Sequence, residues 1–159
     1  MYLIESKDYP INEETLIEFE SHIGRRLPDE YRNFLLKYNV CTVSPKSFIF
    51  FVNKEPADSS IDFFLGLNVH PRKEYYYSLY WYFNMMKERI PSNFLKIASD
   101  PFGNAILIDL DRGSIWFWDH ELEADIEGEE DFSQENIFFI SENLNGFLKS
   151  LQEAGVENI

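Results

Sequence analysis

Asp119-His120-Glu121 sets an imidazole between two carboxylates and is the run in this 159-residue chain that comes nearest to a reactive constellation. A carboxylate beside a histidine suits general acid–base work or a share in a metal site. Neighbouring residues on an extended strand point to opposite faces, however, so adjacency alone does not bring the three groups together. The other histidines, His22 and His70, fall in unrelated segments. A hydrolase also needs a nucleophile or a ligand set. The weight falls on a structural role, in which His120 orients the loop after an aromatic strand. A small hydrolase using His120 with Glu121 or Asp119 stays open as the lesser reading, and no catalytic residue or metal ligand is assigned.

Cys41 is the single cysteine, so it can form neither an intrachain disulfide nor a thiolate cluster. Beside Val40 it reads as a small core or loop residue rather than a nucleophile. The 7 glycines form no Gly-x-Gly run and no Gly-Lys-Ser/Thr, which excludes the familiar phosphate-cradling loops. No cofactor is expected.

The remaining candidates concern binding. Lys and Arg number 14 against 28 Asp and Glu, a formal charge of −14. That balance argues against nucleic acid and against anionic lipid, both of which demand clustered cations. It permits a basic protein partner, met through a complementary field, while also serving plain solubility. From Asp119 to Glu142 there is no Lys or Arg, and Glu121, Glu123, Asp125, Glu127, Glu129, Glu130 and Asp131 crowd together there. Such a stretch is ordinarily a solvated loop. Its sharper use is to occupy the phosphate-binding surface of a basic partner and to speed encounter by steering. Aromatics make up 17% of the chain. In the run 75–89, Tyr76, Leu79, Tyr80, Phe83 and Met86 share one helical face, and Tyr77 and Trp81 another. One face cannot bury them all, so Tyr77 and Trp81 are candidate partner contacts. Trp116 and Trp118 share a strand face opposite Phe117, as core or as an exposed anchor.

The elements that must position these residues can be read from caps and periodicity. Asn12 starts a first helix with Glu13 and Glu14 in its first turn, and Gly24 stops it. Pro28 suits the first position of a second helix, whose Tyr31, Phe34, Leu35 and Tyr38 form an apolar face before Asn39. Runs 47–52 and 61–65 read as strands, with Pro45, Pro56 and Asp58-Ser59-Ser60 as punctuation. A helix is expected over 75–89, ended by Pro91. Runs 94–98, 105–110 and 115–118 then read as an antiparallel meander joined by Gly103-Asn104 and Arg112-Gly113 turns. A short strand over 137–140 precedes a helix capped by Ser141, with Leu144, Phe147, Leu148 and Leu151 inward and Gly155 at its end. The expectation is an α+β fold: an antiparallel sheet flanked by an N-terminal helix pair, a middle helix and a C-terminal helix. Its length suits one domain over residues 1–159. With no secretory leader and no apolar stretch of bilayer length, a cytoplasmic location is expected.

Three segments together resemble the SUKH superfamily, the Smi/Knr-type domain. Phe19-Glu20 followed by Leu27-Pro28-Asp29-Glu30-Tyr31-Arg32-Asn33-Phe34-Leu35 is similar to that family's opening helix and Leu-Pro-x-x-Tyr helix. Ile97 to Asn104 resembles its turn before the central hairpin, and Ile115 to Glu121 its aromatic strand ending in Asp-His-Glu. The final helix around Phe147-Leu148 fits the family's ending. One departure is visible: Asn39 is followed by Val40, where the family often has glycine. The resemblance implies a domain without catalysis. It also implies, for bacterial members, an immunity protein that binds and neutralises a toxin domain of a polymorphic or contact-dependent secretion system. With the acidic charge, the expected partner is a basic toxin domain, nuclease-like in activity, and the expected state is a monomer or weak homodimer. The alternative is a regulatory scaffold binding an endogenous cellular protein, as the fungal members that regulate cell-wall synthesis suggest.

Overall fold

The computed structural model describes residues 2–122 and 136–153. Near the N-terminus β1 spans Leu3–Ser6, a strand with no apolar alternation to announce it. Helix α1, Glu13–Ile23, begins where its cap chemistry places it. The Asn12 side chain accepts the Thr15 amide at 3.0 Å, and Thr15 Oγ1 accepts the Asn12 amide at 3.3 Å. Gly24, at φ 82°, ends the helix in the left-handed region that glycine enters without penalty. Helix α2 spans Asp29–Lys37, with Pro28 immediately before it rather than at its first position. Tyr31, Phe34 and Leu35 turn inward as the spacing requires, and Arg32 goes with them.

Strands β2, Cys41–Ser44, and β3, Ser47–Val52, follow. The Pro56 and Asp58-Ser59-Ser60 segment, expected as punctuation, is strand β4, Glu55–Ser60, paired antiparallel with β3. A proline is tolerated there because the hairpin forms its own two-stranded sheet and β4 lies at its edge. Of run 61–65, Phe63–Phe64 form the strand, β5, and the amides of Asp62 and Leu65 beside it donate to Ser99 and Ile97 at 2.8 Å. The expected helix over 75–89 is divided. A 3-10 turn takes Tyr75–Tyr77, and Ser78 then caps α3, Leu79–Met86, by accepting the Trp81 amide at 3.2 Å. The division has a tertiary cause: Gly66 and Ser78 form a parallel bridge, holding residue 78 extended.

The meander is β6 Phe94–Ser99, β7 Ala105–Asp109 and β8 Ile115–Trp118, followed by β9 Ile137–Ser141 and α4 Leu144–Ser150. Asn143, not Ser141, caps α4 by accepting the Gly146 amide, and Gly155 lies outside the described residues. Among the described residues the main sheet has seven antiparallel strands in the order β1-β2-β5-β6-β7-β8-β9. The expected α+β architecture is the one observed. No helix among the described residues is long and apolar enough to cross a membrane.

Strand alternation gives this sheet two unequal faces. Ile106, Ile108, Ile115 and Phe117 join Leu16, Phe19, Tyr31, Phe48 and Phe147 in the main core. There Phe117 stacks on Phe50 at 4.4 Å, and Phe48 meets Phe147 at 5.4 Å. Leu107 and Trp118 point the other way, into a smaller cluster with Met86 and Ile90, with Trp116 at its margin. Buried apolar area of this kind, at roughly 25 cal/mol per Å², is what offsets the entropy of ordering the chain. Cys41 is fully buried in β2, where burial pushes its thiol up to about 12, the condition of an inert core residue.

Candidate functional site

The turn between β6 and β7 organises the region that the sequence singled out. Asp100 is buried, and its carboxylate is committed on every side. Oδ1 accepts the amides of Phe102 and Asn104 at 2.9 and 2.7 Å. Oδ2 accepts the Ser59 hydroxyl and the Asn104 side-chain amide, both at 2.8 Å. Asn104 Oδ1 in turn accepts the His120 backbone amide at 3.1 Å and lies 2.6 Å from His120 Nδ1. An amide oxygen accepts only, so Nδ1 carries the proton. Gly103, at φ 88°, lets the turn pass under the imidazole, where an added Cβ would come within 3.3 Å of His120 Cε1.

His120 therefore ties the turn after β8 to the β6–β7 turn, the orienting role expected of it. Asp119 does not reach the imidazole. Its Oδ1 accepts the Glu121 amide at 3.0 Å, and its backbone amide donates to Asn136. Glu121 is exposed. The three residues are adjacent in sequence without forming a constellation in space. No group of three His, Cys, Asp or Glu among the described residues could hold a metal ion.

The candidate contacts on the aromatic run separate. Trp81 is 45% exposed and packs on Tyr75 at 4.9 Å, and Tyr75, Tyr76 and Met85 share its exposure. Tyr77 is half-buried, its ring edge against Phe63 at 4.8 Å and Tyr9 at 6.5 Å. Of the acidic candidates, Glu123, Asp125, Glu127, Glu129, Glu130 and Asp131 lie outside the described residues.

Sequence reasoning missed the most unusual group. Lys96 sits mid-strand in β6, buried, with Nζ 3.5 Å from the centre of the Tyr82 ring. Burial pushes its amine down to about 8, against the opposing pull of Asp100 and with a smaller push from Arg89. Arg89 stacks over Trp118 at 4.9 Å. Both cations line a cavity of about 320 Å³ between α3 and the sheet, with Tyr82, Met85, Trp118 and His120 among its walls. A local signal existed: Phe94-Leu95-Lys96-Ile97-Ala98 sets one lysine inside an otherwise apolar strand.

Over residues 10–150 the chain matches the model of the SMI1 / KNR4 family (SUKH-1). It is also similar to the SPbeta prophage-derived uncharacterized protein YokK of Bacillus subtilis (strain 168). The two are 32% identical over 174 residues, covering 98% of this chain and 83% of that protein.

Proposed function

The chain belongs to the SMI1 / KNR4 family (SUKH-1), and from that premise we propose that it is an immunity-type binding protein. It neutralises a cognate bacterial toxin, a nuclease-like domain, by forming a tight one-to-one complex, and it performs no chemistry of its own. It works in the cytoplasm as a single domain over residues 1–159, monomeric or weakly dimeric.

The observation that carries this reading is the exposed surface of Tyr75, Tyr76, Trp81 and Met85. Large aromatic and thioether side chains left together in water are the material of interface anchors. Ser78 caps α3 and the Gly66 bridge pins its start, so the anchors stand on a rigid element and lose little entropy on binding. The formal charge of −14 supports a basic partner, drawn in by the field. The carboxylates of Glu121, Glu123, Asp125, Glu127, Glu129, Glu130 and Asp131 add to that field, with Tyr77 backing the aromatic surface.

The test is co-expression and pull-down with the toxic C-terminal domain encoded by the neighbouring upstream gene, scored beside rescue of cell growth. A salt-sensitive one-to-one complex with rescue is expected. Trp81→Ala should weaken it at least about tenfold, the equivalent of about 1.4 kcal/mol. Neutralising Glu127, Glu129, Glu130 and Asp131 together should slow association and flatten its salt dependence. A folded protein that neither binds nor rescues would end this reading in favour of the endogenous scaffold.

A further inference from the structure

We propose that the cavity between α3, β6 and the turn after β8 is a binding site for a carboxylate group, with Lys96 as its cationic anchor. Lys96 is 7% exposed on a central strand. An ammonium in such a place is costly unless something answers its charge. No carboxylate among the described residues forms an ion pair with it. Asp100, the carboxylate whose charge acts on it, spends both oxygens on four hydrogen bonds within its own turn and to Ser59. The Tyr82 ring covers one side of Nζ at 3.5 Å. An ammonium has three donor hydrogens, and a single ring face engages one side of it, so the others are left for the cavity that Lys96 lines.

The walls define the class of anion. Phosphate is bound by clustered backbone amides, but the amides of the β6–β7 turn, Phe102 and Asn104, are already filled by Asp100. Asp62 and Asp100 also lie in the lining and oppose a dianion. Tyr82, Trp118 and Met85 offer apolar surface beside the cation. The chemistry that fits is a monoanionic carboxylate carried on an apolar or planar body. A volume of about 320 Å³ accepts a small organic acid, or the side chain of a glutamate presented by a protein. Met85 belongs both to the cavity wall and to the exposed aromatic surface, so a partner seated on that surface has a glutamate's reach to Lys96. In that second form the proposal rests on the binding-protein reading above.

The test uses the full chain, labelled for NMR and titrated with benzoate and with the peptide acetyl-Gly-Glu-Gly-amide. Benzamide and the matching Gln peptide serve as neutral counterparts. Saturable shifts at the Trp118 indole and the Lys96 amine are expected for the acids, with the neutral counterparts at least tenfold weaker. Lys96→Met and Lys96→Gln, each verified as folded by its spectrum, should lose at least tenfold for the acids. Benzoate binding tighter than the peptide would assign the site to a free organic acid, and the reverse would assign it to an acidic side chain of a partner. Equal binding of acids and amides, unchanged titration of both variants, or no saturation by either acid would overturn the proposal. Lys96→Met that still captures and neutralises the toxin would leave the immunity reading standing while removing the glutamate form of this one.

Discussion

Arg32 and Lys96 are buried to the same extent, each 7% exposed, yet they sit in opposite electrostatic settings. Arg32, on α2, reaches back to α1. Its Nε and Nη2 donate to the Glu20 carboxylate at 3.0 and 3.1 Å, and Nη2 also meets Glu13. Glu20 additionally accepts the Leu27 amide at 2.7 Å, so the pair closes the link between the two helices. These bonds raise the guanidinium pKa further. Lys96 has an aromatic face in place of carboxylates, and its amine is pushed down instead. The planar fork of arginine suits a two-pronged carboxylate clamp, whereas the compact ammonium of lysine tolerates a ring face and stays available. A buried cation with satisfied partners belongs to the fold. One without an ion pair among the described residues costs stability, and at the proposed carboxylate site the missing partner is another molecule.

The largest effect should come from breaking the clamp. Arg32→Met leaves Glu20, with only 11% of its side chain exposed, as a buried carboxylate without its cation. A loss of about 3 kcal/mol is expected in urea denaturation. A loss below about 1 kcal/mol would mean the clamp is incidental and would dissolve the contrast with Lys96.

The opposite sign is expected at Lys96. Replacing a buried ammonium that forms no ion pair among the described residues by methionine should stabilise the fold by about 1–3 kcal/mol at pH 7. The pH dependence follows from an amine at about 8 in the folded chain against its ordinary 10.5. Between those values the unfolded chain binds the extra proton, so wild-type stability rises with pH through this window. The penalty is fully present below about 8 and relieved by about 10.5. The advantage of Lys96→Met should therefore shrink across that window. An advantage that stays constant with pH would assign it to packing rather than to charge.

The smallest effect sharpens the part of Glu13. Asn12→Ala removes the α1 cap and should cost about 1 kcal/mol in thermal melts, because the first turn frays. Glu13 lies in that turn and Glu20 two turns further on. In the Arg32→Met background the cost of Asn12→Ala should fall, since Glu13 then has no guanidinium to hold. Strict additivity would show that Glu20 alone carries the clamp.

Legibility in the sequence followed the range of the interaction responsible. Asn12 and Gly24 announce α1 because cap bonds span three or four residues. The meander was legible because Ile106 and Ile108 alternate between glycine turns. β1, β2 and β4 were not, since their pairing joins distant segments and their composition is polar or proline-bearing. The tyrosine run read as one helix because local spacing cannot foresee the Gly66 bridge that holds Ser78 extended. Gly66 itself is demanded by a distant neighbour: a Cβ there would fall 2.3 Å from Asn39 Oδ1. That oxygen accepts the Leu67 amide at 2.8 Å. Asn39 takes φ 53° without the glycine that often follows it in the family, and its side-chain amide bonds Tyr9 and Leu67 in compensation.

By itself the sequence determined the helix boundaries at Asn12 and Gly24, the strand alternation of the meander, the strongly acidic charge balance, and the family. All of these rest on residue type and short spacing. Only the tertiary structure decided that Asp119, His120 and Glu121 part ways, that Arg32 is clamped, and that Lys96 is buried beside a cavity with no ion pair among the described residues. Burial and pairing are set by residues far apart in the chain, and no local pattern encodes which carboxylate a cation will meet.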